Sequence, residues 1–406
     1  MNDPILINIT GMDRPGITAS VTELLGRYDV HILDIGQSVI HDALSLGMLI
    51  RVPAQISDEE VVFDAIQDKV NELHMQVRFL RISRDEYQQW AGQSGKGRHI
   101  VTLLSHRISA YHISRLAGIV VDNGLNIDKI VRLSGRIPLE AVNSDGQACI
   151  EFSLRGHVAD LPSLRRKFME LADEIDVDIA YQENNLYRRN RRLVAFDMDS
   201  TLIQAEVINE LAKHAGVRKQ VAAITASAMR GEIDFKDSFR QRVALLKGLP
   251  ESVLAEVAAT LKYTDGLEIL MSTLKNLGYK TAILSGGFTY FGRTLQRRFG
   301  FDYVFANNLE IENGVITGNV NSEIVDGERK ATLLAQIAAH EGFSLEQTIA
   351  VGDGANDLPM LSIAGLGIAF RAKPIVKESA KQSLTALGLD GILYLMGLNE
   401  RETKSS

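Results

Sequence analysis

A chain of 406 residues has the length of two to three domains at roughly 150 residues each, and its net charge of −7 argues against non-specific nucleic-acid binding. Its 45% hydrophobic and 23% charged residues describe a globular chain, with no stretch reaching the ~20 apolar residues of a membrane span. Met1-Asn2-Asp3-Pro4 lacks the basic and apolar regions of a secretory signal, and the single cysteine, Cys149, excludes an internal disulfide, so a reducing cytoplasm is the expected compartment. Cys149 lies in an alternating apolar run and reads as a buried core thiol.

Residues 1–84 read as β-α-β-β-α-β, with strands at 5–10, 30–39, 44–52 and 76–82 and helices at 18–28 and 57–73. Asp13 suits an N-cap, Pro15 a first helical turn, and Ser57 with Glu60 a capping box. Between the first strand and first helix stands Asp13-Arg14-Pro15-Gly16-Ile17. It either offers backbone amides to a ligand carboxylate or only makes a tight turn. The segment resembles an ACT domain on these residues. The resemblance implies an amino-acid effector site, with serine the candidate, and pairing between copies, hence a homodimer.

Residues 90–97 are Gly-rich and polar and read as a linker. The same element order then repeats over 97–182, with strands at 99–104, 127–133, 148–154 and 177–181 and helices at 113–123 and 161–172. This segment looks like a second ACT-type module. Ser105-His106-Arg107-Ile108-Ser109 replaces the Pro-Gly loop of the first copy, so packing is its expected role. His106 and His112 have no companion cluster and read as ordinary histidines. Arg188-Arg189-Asn190-Arg191-Arg192 reads as a solvated linker face.

From residue 190 onward an α/β pattern emerges. Leu193-Val194-Ala195-Phe196 is a short apolar run, as in a strand buried on both faces, and it ends in Asp197-Met198-Asp199-Ser200-Thr201. Ligands bind beyond the carboxyl ends of such strands, and a carboxylate pair there invites a cation. Apolar residues at helical spacing over 206–215, 217–230, 234–247 and 250–260 read as an inserted cap at about 203–272. A strand at 279–284 runs into Ser285-Gly286-Gly287, whose hydroxyl and freed amides suit phosphoryl oxygens. Strands at 305–311 and 315–320 flank an Asn313-Gly314 turn, and Asp326-Gly327-Glu328-Arg329-Lys330 opens a helix reaching about 340, with Lys330 near its start. A strand at 348–351 ends in Gly352-Asp353-Gly354-Ala355-Asn356-Asp357, an oxygen-rich loop for a hard cation without the 12-residue spacing of a helix-loop-helix calcium site.

The ordered set D-x-D-x-T, Ser-Gly-Gly, Lys and G-D-G-x-N-D resembles the haloacid dehalogenase superfamily of phosphotransferases, and within it the phosphoserine phosphatases, over about 190–395. The resemblance implies a Rossmann-like parallel sheet with a helical-bundle cap, preceded by two α+β (βαββαβ) modules. It also implies hydrolysis of O-phospho-L-serine to L-serine and phosphate, the last step of serine biosynthesis. By that resemblance Asp197 is the nucleophile and Asp199 the general acid and base. Mg2+ is held by Asp197, Asp353 and the backbone carbonyl of Asp199. Ser285, Gly286, Lys330 and Asn356 contact phosphate, and Asp357 orients Lys330 or the metal shell. Glu206 receives the serine ammonium, Arg242 its carboxylate, and Met229 and Phe235 screen the pocket. Two alternatives stay open: a phosphatase or phosphotransferase for another small phosphomonoester, and a non-catalytic amino-acid sensor. Neither nucleic acid nor a membrane is an expected partner.

Overall fold

The computed structural model describes residues 3–92, 97–136, 146–320, 323–400 and 402, with the side chain of Met229 outside the described set. The chain divides into two compact units, Met1–Lys96 and Gly97–Ser406. Among the described residues no helix is long and apolar enough to cross a membrane.

The first unit runs β1 (Ile5–Met12), α1 (Ile17–Arg27), β2 (His31–Ile40), β3 (Ala43–Arg51), α2 (Glu60–Glu72), β4 (Gln76–Arg81) and α3 (Arg84–Ala91). Its antiparallel sheet has the order β2-β3-β1-β4. Ile5, Ile7 and Ile9 alternate along β1 into the core, where Val62, Ile66 and Val70 meet them at four-residue spacing along α2. Two local readings are corrected. Asp13 is not the cap of α1: its N–H bonds Asp42 O at 2.8 Å and keeps the chain extended, and the helix starts after Gly16. Gly16 has φ +94°, a conformation open to glycine. Ser57 does not cap α2 either, because Asp58 Oδ1 accepts the Glu60 N–H at 3.1 Å. Ser83 and Glu86 form the capping box of α3, a helix the sequence reading did not include.

The second unit opens with β5 (Arg98–Ser105), α4 (Ala110–Asp122), β6 (Asn126–Arg132), β7 (Ala148–Arg155), α5 (Leu161–Glu174) and β8 (Asp178–Glu183). The sheet order β6-β7-β5-β8 repeats that of the first unit. Cys149 is fully buried, and burial pushes its thiol well above the usual range, as befits an inert core residue.

A second sheet follows: β9 (Leu193–Phe196), cap helices α6 (Val207–His214), α7 (Arg218–Met229), α8 (Phe235–Ala244) and α9 (Ser252–Thr260), then α10 (Leu267–Asn276), β10 (Lys280–Phe288), α11 (Thr289–Phe299) and β11 (Tyr303–Asn307). After these come β12 (Leu309–Glu312), β13 (Val315–Val320), α12 (Gly327–His340), β14 (Thr348–Gly352), α13 (Leu358–Ile363), β15 (Leu366–Phe370), α14 (Pro374–Ser379), β16 (Gln382–Leu384) and α15 (Gly391–Leu395). Six strands form one parallel sheet, β11-β10-β9-β14-β15-β16, with β9 between β10 and β14. The run expected as one strand over 305–311 splits, because Asn307 turns its side chain inward and ends β11. The β12–β13 hairpin turns through Asn313 (φ +51°) and Gly314 (φ +76°). It braces the cap, accepting Gly248 N–H at Ile316 O (2.9 Å) and Glu251 N–H at Gly314 O (2.8 Å).

The arginine run is solvated only in part: Arg189 and Asn190 are exposed, Arg188 and Arg191 are not. Arg188 and Arg191 are 2% and 5% exposed. Arg188 pairs with Glu151 of β7, and Arg191 Nη2 donates to Gln182 Oε1 at 3.0 Å. Burial, with Arg188 beside it, pushes the Arg191 guanidinium down to about 10. Further polar contacts seat the second module on the parallel sheet. Gln382 bonds both the N–H and the carbonyl of Tyr181, and Asp178 Oδ2 accepts the N–H groups of Thr385 (2.7 Å) and Ala386 (2.6 Å).

Candidate active site

The parallel register places the motifs together. Phe196 is level with Ile283 of β10 and Val351 of β14, so Asp197, Ser285 and Asp353 all emerge at the carboxyl edge of adjacent strands. Asp197 N–H bonds Val351 O at 2.8 Å, which ties the first motif to the fourth. Asp326 caps α12 by accepting the Arg329 N–H at 2.8 Å, and one turn on this helix carries Lys330 into the same edge.

Lys330 is 0% exposed. Its Nζ lies 2.5 Å from Asp197 Oδ1 and 2.7 Å from Asp357 Oδ1. Burial alone would lower its pKa, but the two carboxylates outweigh it and hold the ammonium charged. Asp357 Oδ2 accepts the Gly354 N–H at 2.9 Å, and Thr201 Oγ1 donates to Asp353 Oδ1 at 3.0 Å. Burial, then Asp357, pushes Asp353 up to about 7. Asp197 is raised well above the carboxylate range by burial, against the pull of Lys330. A Cβ on Gly352 would collide with the Asp357 side chain, itself held by Lys330, so this position favours glycine; a Cβ on Gly354 would push the Asn356 carboxamide aside.

Carboxylate oxygens of Asp197, Asp353 and Asp357 lie within 4.8 Å of one another. Three close carboxylates, balanced by one lysine, fit a divalent cation. The donor set is oxygen throughout, as a hard cation prefers. Asp199 is buried, and its Oδ1 has no hydrogen-bond partner among the described residues. Burial, Glu206 and Asp197 together raise its pKa well above normal, which favours a protonated carboxyl.

The cap supplies the opposite wall. Arg242 is half-buried, its guanidinium 5.9 Å from the Phe239 ring, with Nε donating to Ser238 O at 3.3 Å. Burial lowers its pKa, while Glu206 and Asp199 act in the other direction, so both carboxylates share its field. Glu206 stands at the N-cap of α6 without capping it. Ser200, at φ +59°, donates its hydroxyl to Glu206 Oε1 at 3.1 Å. Phe235 stacks on Phe239 with 6.2 Å between centroids and packs against Gly286. Met229, expected beside it, has its side chain outside the described residues. Ser285 is fully buried and accepts the Gly287 N–H at 3.0 Å. Asn356 folds over the Gly354 backbone.

Sequence reasoning left Ser200, Thr201 and Asn307 without roles. Ser200 and Thr201 were visible as parts of the first motif, whereas nothing local marks Asn307. His106 and His112 lie apart from the carboxylates; His112 joins the Ser109 cap of α4.

Residues 194–362 match the haloacid dehalogenase-like hydrolase family and residues 3–80 the ACT domain. The chain is 41% identical over 402 residues to the phosphoserine phosphatase of Streptomyces coelicolor, an alignment spanning 99% of this chain and 94% of that one. It is 38% identical over 404 residues to phosphoserine phosphatase SerB2 of Mycobacterium tuberculosis, spanning 99% and 95%. The solved structure of a probable phosphoserine phosphatase from Vibrio cholerae, in unliganded form, matches with a TM-score of 0.59 at 32% identity, over 76% of this chain and 89% of that one. With its four motifs gathered on one sheet edge and its relatives similar from end to end, this chain belongs to the phosphoserine phosphatase family of haloacid dehalogenase-like hydrolases.

Proposed function

We propose that the chain hydrolyses O-phospho-L-serine through an aspartyl-phosphate on Asp197. The observation that carries this is the buried Asp197–Lys330–Asp357 cluster at the sheet edge, faced by Glu206 and Arg242 of the cap. Lys330 engages Asp197 Oδ1, which leaves Oδ2 to attack phosphorus in line. As the phosphorus–oxygen bond to serine breaks, Asp199 gives its proton to the seryl oxygen. Water then attacks the aspartyl-phosphate, Asp199 takes up the water's proton, and inorganic phosphate leaves. Ser285, the amide of Gly286, Lys330 and Asn356 hold the phosphoryl oxygens, so positioning and electrostatics dominate. Asp197, Asp353 and the Asp199 carbonyl would hold Mg2+, which would supply positive charge against the repulsion between nucleophile and phosphate dianion.

Glu206 reads the serine ammonium and Arg242 its carboxylate, a guanidinium fork being suited to that group. The first ACT module is the proposed serine effector site, and the active form is proposed as a cytoplasmic homodimer. The test is Asp197→Asn. It should abolish both turnover and trapping of the phosphorylated enzyme, and full activity in that variant would refute the mechanism. Calorimetry of serine binding to wild type and Asp13→Ala tests the effector site, and sedimentation tests the dimer.

A further inference from the structure

Asn307, the last residue of β11, is 0% exposed, and both ends of its carboxamide are spent on backbone groups. Nδ2 donates to Gly286 O at 2.8 Å, and Oδ1 accepts the Val325 N–H at 2.9 Å. A carbonyl only accepts and a peptide N–H only donates, so chemistry allows the carboxamide one orientation.

The consequence lies across one peptide plane. The Gly286–Gly287 bond is planar and trans, so holding the Gly286 oxygen on one side turns the Gly287 N–H to the other. That N–H donates to Ser285 Oγ at 3.0 Å. With a lone pair of the hydroxyl occupied, the Ser285 proton is left for a phosphoryl oxygen. The two glycines carry no side chain of their own to fix the segment, and the space beside them is narrow: a Cβ on Gly287 would lie 2.7 Å from Met198 Cε and one on Gly286 3.1 Å from Phe235 Cζ. The other end of Asn307 holds Val325, next to the Asp326 cap of α12, and Lys330 N–H bonds Asp326 O at 2.9 Å in the first turn of that helix. One buried side chain therefore spans the irregular carboxyl end of β10 and the start of the lysine-bearing helix.

We propose that Asn307 is a positioning residue for phosphoryl transfer: it aims the Ser285-Gly286-Gly287 segment and keeps it in register with Lys330, without touching substrate. This rests on the reading of Ser285, Gly286 and Lys330 as the phosphate cradle. A carboxamide that only satisfies buried backbone would lower stability and leave phosphate recognition intact.

The two roles separate in the Mg2+-loaded full chain. Asn307→Asp keeps an acceptor for Val325 but sets a carboxylate oxygen against Gly286 O. Phosphoserine kcat and KM, the inhibition constant of orthovanadate and the thermal midpoint are measured together. Expected is a kcat about tenfold lower or more, the size of a misaimed oxyanion donor, with KM within about threefold and vanadate inhibition weakened about tenfold. Asn307→Ser, which leaves room for a water at Gly286 O, covers the case in which the acid variant does not fold. It should weaken vanadate inhibition at least about threefold. A folded variant with a lowered midpoint but kcat and vanadate affinity within about twofold of wild type overturns the proposal. Wild-type enzyme inactive on phosphoserine strikes instead at the underlying reading.

Discussion

Replacing Lys330 by methionine removes one charge from the most enclosed point of the site. The ammonium sits 2.5 Å from Asp197 and 2.7 Å from Asp357, and neither it nor Asp357 is exposed at all. Breaking a buried pair by deleting one partner costs about 3–5 kcal/mol, because the surviving charge stays desolvated. Here Asp197, Asp353 and Asp357 survive within 4.8 Å of one another, so protons or a divalent cation must take over the balance. A divalent cation should therefore raise the thermal midpoint of Lys330→Met more than that of wild type. On the proposed mechanism, the lost cation would no longer stabilise charge on the transferring phosphoryl group. A donor of this kind is worth about 10²–10³ in kcat. Phosphate release from phosphoserine, measured on folded protein with saturating Mg2+, should fall by that factor. A kcat within about tenfold of wild type, or equal metal stabilisation in the two proteins, would refute the role given to Lys330.

Glu206→Gln should raise KM for phosphoserine about tenfold or more, yet leave turnover of a phosphomonoester without an ammonium group within about twofold; equal losses on both substrates would count against the cap reading. Arg188→Met leaves Glu151 buried without its partner and should destabilise the seat of the second module by about 3–5 kcal/mol, while Arg188→Met with Glu151→Leu recovers most of the loss in urea midpoints. Asp326 joins the core to cap residue Lys236 at 3.0 Å. Burial raises its carboxyl, but the Arg329 N–H and Lys236 outweigh that and leave it below the ordinary 3.8. A depressed folded pKa stabilises fully above the unfolded value and fades as pH falls through the folded one. The gap in thermal midpoint between wild type and Asp326→Asn should thus be present at about pH 6 and close at about pH 2, and a constant gap would refute the linkage.

Much of the site was legible because its chemistry is local. An apolar run of four residues ending in Asp197-Met198-Asp199 announces a buried strand with carboxylates at its edge, and Thr348 to Gly352 does the same for Asp353. Apolar spacing marked the cap helices, and the Asn313-Gly314 pair marked the hairpin, since φ above zero at both positions suits those residues. Short-range rules failed where a longer-range bond overrode them. The Asp13 N–H is claimed by Asp42 O, so the helix starts only after Gly16 and not at the apparent cap. Four arginines within five residues look solvated until Glu151 and Gln182, distant in sequence or facing inward, take Arg188 and Arg191 out of water.

What the sequence by itself determined was the inventory: which carboxylates, hydroxyl and lysine stand at strand ends or a helix start, and the order in which they follow along the chain. Only the tertiary structure decided who meets whom. Lys330 reaches Asp197 across 133 residues of chain, and Asn307 reaches both Gly286 and Val325 from the end of a different strand. The physical reason is that spacing rules follow the backbone period, whereas these contacts depend on strand order and on the cost of leaving buried polar groups unpaired.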